Sequence, residues 1–358
     1  MSAGDGHGGR APVALFALGG TIASAVAGPR GVAPSLTAAD LVAAAPGMAE
    51  IADVTARSFL QVPGAHLLLD DVISLADVVV GAVAAGAAGV VVTQGTDTLE
   101  ETAFVLDLLV HASEPVVVTG ALRDPTVAGA DGPANVLAAV AVAASPAARG
   151  LGTLVVMNDE VHAARFVRKS HTSSTGAFTS YPGPVGWVSE RRPRIVSRPV
   201  GRLLLPRPDG PSPCVGLVSS SMGDDGRLLA CAARAGLDGL VLEALGGGHV
   251  PPRVLEPLTE LAGRIPVVLT SSTRRGELLR ATYGFAGSET DLSARGVIHG
   301  GWLDARKARL LLALLLGAGA DRERVVSTFA EPYAERTDGS PEAGRASGVG
   351  GVLSEGGE

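Results

Sequence analysis

Short apolar runs alternate with longer mixed segments along most of the chain. Five runs in the first half read as strands: "VALFAL" (13–18), "VTARSFL" (54–60), "GVVVT" (89–93), "PVVVTG" (115–120) and "TLVVMN" (153–158). Segments of helical length separate them, at about 37–45, 70–85, 98–111 and 132–144. Strands that are apolar throughout are buried on both faces, and strands separated by helices pair in parallel. The pattern predicts an α/β fold: a larger N-terminal doubly wound domain over residues 11–190, its parallel sheet covered on both sides. From 191 to 213 repeated prolines forbid a long helix and a central strand. That segment is expected to be a Pro/Arg-rich linker with at most one edge strand. The alternation resumes with "CVGLVSS" (214–220), "GLVLEA" (239–244) and "IPVVLTS" (265–271). Helices near 226–236, 252–262 and 304–317, and another after Asp321, complete a smaller C-terminal α/β domain over 214–335. Residues 1–10 and 336–358 have little to bury and are expected to be disordered.

A chain of 358 residues is comfortable for two such domains. Hydrophobic residues make up 46% but aromatics only 3%, so the cores must be built from Ala, Val and Leu. The net charge of −7, without a basic stripe interleaved with aromatics, argues against a nucleic-acid surface and for a small-molecule ligand. Cys214 and Cys231 are too far apart for a CxxC motif and too few for a disulfide framework. They are expected to be buried free thiols, as suits a reducing cytoplasm. The first ten residues lack the basic start and apolar run of a signal peptide. "LLLALLLGAGA" is too short for a membrane span and reads as a buried helix.

Four stretches carry candidate chemistry. In "LFALGGTIAS" a buried strand ends at Gly19-Gly20 and presents Thr21. Two glycines make a tight turn and also let backbone N–H groups approach a ligand. The spacing of a dinucleotide site is absent. In "TQGTDTLEET" (93–102) a strand ends at Gly95, with Thr96, Asp97 and Thr98 behind it. Asp97 or Thr98 is placed to cap the next helix, with Glu100 or Glu101 closing a capping box. A hydroxyl and a carboxylate are also displayed where parallel sheets bind ligands. In "ALRDPTVAGADGPANV" (121–136) Asp131 is placed to cap a helix with Pro133 in its first turn, and to wall a crevice. The fourth stretch, "HAARFVRKSHTSSTGAFTS" (162–180), reads by composition as a solvated loop. His162 and His171 share no ligand spacing with other His or Cys, so no metal site is expected. No Walker, HExxH or GxSxG motif occurs.

Together "LGGTIA", "TQGTDTLEET", "GADGPANVLAAV", "VVMNDEVHAARFVRK" and "KARLLLALLL" resemble, in order and spacing, the bacterial-type L-asparaginase family of two-domain amidohydrolases, from about residue 13 to 330. The resemblance implies hydrolysis of a side-chain amide, L-asparagine foremost, to a carboxylate and ammonia, without metal or organic cofactor. By position, Thr21 corresponds to the family's first catalytic threonine, which attacks the amide carbon. Thr96, Asp97 and Lys169 correspond to its second cluster, where the lysine assists deprotonation of the threonine and the aspartate helps orient the substrate. A threonine hydroxyl is a weak nucleophile until a neighbouring base or charge helps remove its proton. A lysine serves when burial and nearby cations lower its pKa. Glu289, in "GSETDL", falls where the family has an acidic residue that reaches a neighbouring subunit's site and holds the substrate's amino group. A homo-oligomer, dimer or tetramer, is implied with it.

The chain departs from the family at three places. The loop "SAVAGPRGVAP" (24–34) lacks the family's tyrosine. Where a Ser-Gln or Ser-acid pair is usual, Gly64-Ala65 stands, with His66 beside it. Gly247 replaces an asparagine near the end of "LVLEALGGGHV". These changes fall in the substrate-binding shell and leave the catalytic cluster intact. Two alternatives therefore stand beside an asparaginase: a hydrolase of a different amide, and a non-catalytic amino-acid-binding protein, which would not need two threonines and a lysine. A nucleotide-dependent oxidoreductase rests on the doubly wound pattern alone.

Overall fold

A computed structural model describes residues 9–26, 32–34 and 36–330; the expectations for residues 1–8 and 331–358 lie outside them. The chain opens with β1 (Pro12–Gly19), the short antiparallel pair β2 (Ser24–Val26) and β3 (Val32–Pro34), α1 (Ala38–Ala43), α2 (Met48–Ile51) and β4 (Asp53–Val62). It continues through α3 (Leu69–Ala84), β5 (Gly89–Thr93), α4 (Leu99–Leu109), β6 (Val116–Thr119), α5 (Gly132–Ala143) and β7 (Thr153–Met157). Then come five short strands: β8 (Glu160–Ala163), β9 (Val167–Lys169), β10 (Phe178–Ser180), β11 (Gly186–Ser189) and β12 (Arg192–Ile195).

The large sheet has the order β12-β11-β8-β7-β6-β5-β1-β4. Strands β4, β1, β5, β6 and β7 are parallel, as the sequence pattern predicts. The remaining three are antiparallel, so the sheet is mixed. The difference arises because β8, β11 and β12 are four-residue hairpin strands, too short and too polar to stand out as buried runs. In β5 every residue is buried. Val90 and Val92 enter the core under α3 and α4, while Val91 enters the one under α5. Alternate residues of one strand thus feed two cores, as a doubly covered sheet requires.

The proline-rich segment is firmly tied down. Pro193 lies in β12, at the sheet's edge, where a missing backbone donor costs least. Leu203 and Leu205 are buried, and Arg202 donates to the Asp107, Val110 and Ala112 carbonyls at the C-terminal end of α4. Beyond it the small domain contains β13 (Val215–Ser219), α6 (Arg227–Ala232), β14 (Gly239–Ala244), α7 (Leu255–Ala262), β15 (Val267–Ser271), α8 (Glu289–Ala294), β16 (Ile298–His299), α9 (Ala305–Gly317) and α10 (Arg322–Ala330). Its sheet is parallel throughout, in the order β13-β14-β15-β16. One face packs on α6 and α7. The other packs on α9, whose leucines join the same continuous core as α4 of the large domain.

The two cysteines correct the expectation of burial. Both are free and exposed. Cys214 immediately precedes β13, and Cys231 lies on a two-turn helix that buries only Leu229. His162 on β8 is fully buried, with Nδ1 2.9 Å from Ser180 Oγ. Burial pushes its pKa from 6.5 down to about 4. Glu160, 3.5 Å from Nε2, is half exposed and does not offset this. The unfolded chain takes up this proton below about 6.5 and the folded one only below about 4. Stability should therefore fall as pH drops through that window, by roughly 3 kcal/mol from this residue. Denaturant titrations of His162→Gln should show a flatter profile there than the parent protein; identical slopes would refute the assignment.

Candidate active site

The strand order places β1 between β5 and β4, so the chain leaves β1 in one direction and returns on its other side. That reversal opens a crevice at the carboxyl ends of β1 and β5, where open α/β sheets bind ligands. Three loops converge there through glycine. A Cβ on Gly20 would lie 2.0 Å from the Gly95 nitrogen, one on Gly95 2.8 Å from the Gly64 nitrogen, and one on Gly64 2.9 Å from the Gly95 carbonyl. Gly20 also has φ +81°, a left-handed conformation that side chains rarely adopt. The loops after β1, β4 and β5 thus meet backbone to backbone. Thr21 and Thr96 are the residues that follow two of the touching glycines, Gly20 and Gly95. Gly20→Ala should cost more than ~2 kcal/mol through clash and strain, and disable the site. An unchanged melting temperature and activity would refute this.

The same contact decides which positions after β4 can carry a side chain. Gly64 is pinned against Gly95, so a serine could not stand there without moving backbone. Ala65 and His66 are exposed and face outward from the turn. The side-chain positions at this point of the rim are therefore 65 and 66.

Around β5 the hydroxyls and carboxylates divide their work differently from the capping-box expectation. Thr98 occupies the N-cap of α4 without a side-chain capping bond. Its hydroxyl instead donates to the Gly64 carbonyl at 2.8 Å, tying the β5 loop to the β4 loop. The Glu100 carboxylate accepts the backbone N–H of Lys169. Glu100 is only 2% exposed, and burial raises its pKa despite the nearby positive charge of Lys307. Asp131 likewise makes no capping bond to α5. Its carboxylate gathers the N–H groups of Leu122 and Arg123 and the Asn135 amide, holding the loop after β6.

Lys169 lies at the end of β9, and its side chain is 17% exposed. Its Nζ donates to Thr96 Oγ1 and to Asp97 Oδ1, each at 2.9 Å. Thr96 is buried, whereas Asp97 turns an exposed carboxylate outward. The stretch that composition reads as a solvated loop is therefore a hairpin, β9 with β10, that delivers a cation to the β5 loop. It is held from behind: Lys307 of α9, buried at 3% exposure, donates to the Val167 carbonyl at 2.5 Å. Glu100, expected to close a capping box, instead holds the hairpin, and Lys307 carried no sequence signal for its role. Helix α4 is buried nearly all round, so a charged residue within it, such as Glu100, calls for a partner.

Glu289 and Gly247 belong to the small domain. Glu289 Oε1 accepts the Thr282 and Tyr283 N–H groups at 2.7 Å each, and Oε2 meets His249 Nε2 at 3.2 Å. Burial opposes its charge, but these bonds outweigh that effect and lower its pKa. Where the family's asparagine would stand, a Cβ on Gly247 would lie 2.6 Å from Leu279 Cδ1. The leucine fills that space. Of the loop expected to lack a tyrosine, residues 27–31 lie outside the described residues.

Two family models match this chain: "Asparaginase, N-terminal" over residues 12–201 and "Glutaminase/Asparaginase C-terminal domain" over 214–329. The chain belongs to the asparaginase family. An "L-asparaginase" of Bacillus licheniformis is 35% identical to it over 86% of this chain and 95% of the relative. A "Probable L-asparaginase" of Deinococcus radiodurans is 39% identical over 89% and 97%. Among solved structures, a "Probable Cytoplasmic L-asparaginase" from Campylobacter jejuni superposes with a TM-score of 0.78 at 26% identity, covering 90% of this chain and 99% of that one. The two-domain asparaginase fold and an asparaginase-type amidohydrolase are thereby established, acting on a small-molecule amide.

Proposed function

We propose that the protein hydrolyses L-asparagine to L-aspartate and ammonia with Thr21 as nucleophile. The observation that carries this reading is the pair of 2.9 Å bonds from Lys169 Nζ to Thr96 and Asp97, on the loop whose glycine touches the one before Thr21. Thr21 Oγ adds to the amide carbon, ammonia departs with the hydroxyl's proton, and water cleaves the ester to give the carboxylate and restore Thr21. Groups of this kind act on one another: a hydroxyl beside a cation gives up its proton more readily. The Thr96–Lys169–Asp97 cluster serves proton transfer and holds the substrate's amino-acid end. No step needs a metal ion or organic cofactor.

The chain is proposed to work in the cytoplasm as a homo-oligomer, dimer or tetramer. Supporting this, Tyr283 and Phe285 stand exposed beside Glu289, in a chain with few aromatics. Both oxygens of the buried Glu289 are bonded within the small domain, so to hold a substrate ammonium in a neighbouring site it would exchange its contact with His249.

Ammonia release from a panel of L-asparagine, L-glutamine and simple amides tests the function; no release from any of them would reject it. Position 64 cannot carry a hydroxyl, and position 65 holds alanine. A hydrogen bond to a charged group is worth about 1.5–3 kcal/mol, so its loss weakens binding of the substrate carboxylate by roughly ten- to a hundredfold. A KM for L-asparagine in the millimolar range is expected, or preference for another amide. A micromolar KM would show that His66 or another group has rebuilt the carboxylate contact.

A further inference from the structure

Strand β9 has two sides. Lys169 lies on one, and its neighbour Arg168 lines a cavity of about 430 Å³ between the two domains. Thr21, Thr96, Asp97 and Lys169 are not part of that cavity. Its volume is in the range of small-molecule sites.

The charge of the wall is opposite to that of the chain. Arg165, Arg168, Arg274, Arg275 and Lys307 bring five cations, against the two carboxylates of Asp304 and Glu277, in a protein of net charge −7. Asp304 offsets Lys307 within the wall, and Glu277 is paired outside it. Asp304 caps α9 through the Arg306 and Lys307 N–H groups and accepts from Lys307 Nζ at 3.3 Å. Glu277 pairs with Arg280 at 3.4 Å. The Arg165 guanidinium donates to the carbonyls of Val200 and Gly201. Arg168, Arg274 and Arg275 form no ion pair with any carboxylate among the described residues. Arg275 lies over the Tyr181 ring, 5.8 Å from its centroid. Like charges converging on a partly enclosed space repel one another, and a bound anion removes that cost. Guanidinium forks match phosphate and carboxylate oxygens two at a time.

We propose that this interdomain cavity binds a small polyanion, a molecule carrying two or more phosphate or carboxylate groups, at a site separate from that of the amide substrate. Arg168, whose charge also reaches Asp304 and Glu100 without pairing closely with either, joins Arg274 and Arg275 as three guanidinium groups outside any close ion pair. These suit more than one anionic group, and the confinement between domains suits a small molecule.

Calorimetric titration of the full chain at fixed ionic strength tests this, with pyrophosphate and citrate as probes and sodium chloride as the control. Saturable binding with a Kd below about 1 mM is expected for at least one probe, and the stronger probe tells phosphate from carboxylate. The Arg274→Ala/Arg275→Ala double variant should lose about tenfold or more in affinity while releasing ammonia normally in the absence of polyanion. Arg168→Gln provides a second, size-preserving variant and should lose affinity similarly if the double variant does not fold. Absence of saturable binding by either probe, or equal affinity in the parent and a folded variant, overturns the proposal. Binding is read without turnover, so this result stands apart from the hydrolase assignment.

Discussion

Lys169→Met should fold normally and lose roughly 10²–10⁴-fold in turnover, the usual contribution of acid–base help. The substitution removes the Nζ that meets Thr96 and Asp97 but keeps the length of the side chain. The backbone at 169 has its own supports. It is paired with Phe178 in the hairpin, its N–H is held by Glu100, and Val167 is held by Lys307. The loss should therefore appear in kcat, with the melting temperature little changed. In free-energy terms it corresponds to roughly 3–5 kcal/mol of transition-state stabilisation. Stopped or continuous ammonia assays on purified protein, beside a thermal melt, measure both quantities. A folded variant with parental kcat would remove Lys169 from the mechanism.

Thr21→Ala should abolish ammonia release altogether, because it deletes the oxygen proposed to form the ester. Thr21 is partly exposed at the crevice and Ile22 behind it is buried, so the change touches the site and spares the core. Thr96→Val should be nearly as damaging, since it keeps the shape of a buried residue while removing the hydroxyl that Lys169 contacts. The double variant should be no worse than Thr21→Ala alone, as expected of groups that act as one unit. Thr21→Ser, which restores a hydroxyl, should recover part of the rate. Parental ammonia release by folded Thr21→Ala would falsify the nucleophile assignment.

Much of this architecture was legible because apolar runs mark doubly covered strands well. The runs at 89–93 and 239–244 coincide with β5 and β14. What escaped was structure whose cause lies far away in sequence. The hairpins of β8 to β12 are stabilised by pairing rather than by their own apolar pattern. The caps expected of Thr98 and Asp131 fail because each side chain has a better partner across the crevice or in the preceding loop. Lys169 resembles any surface lysine until the hairpin folds over the β5 loop. Position 64 could be identified by resemblance as part of the rim, but its inability to carry a side chain is a fact about Gly95.

Helix α9 is part of the small domain by sequence, yet its leucines complete the core against which α4 of the large domain packs. The two halves are consequently not interchangeable modules. Separated at the proline-rich segment, each would present an apolar face to water, and a graft from a distant relative would have to bring both helices together. Lys307 extends the dependence to chemistry, since the strand that carries Lys169 leans on it. A substitution at Lys307, on a helix of the other domain, is therefore expected to act at once on folding and, through β9, on where Lys169 is held.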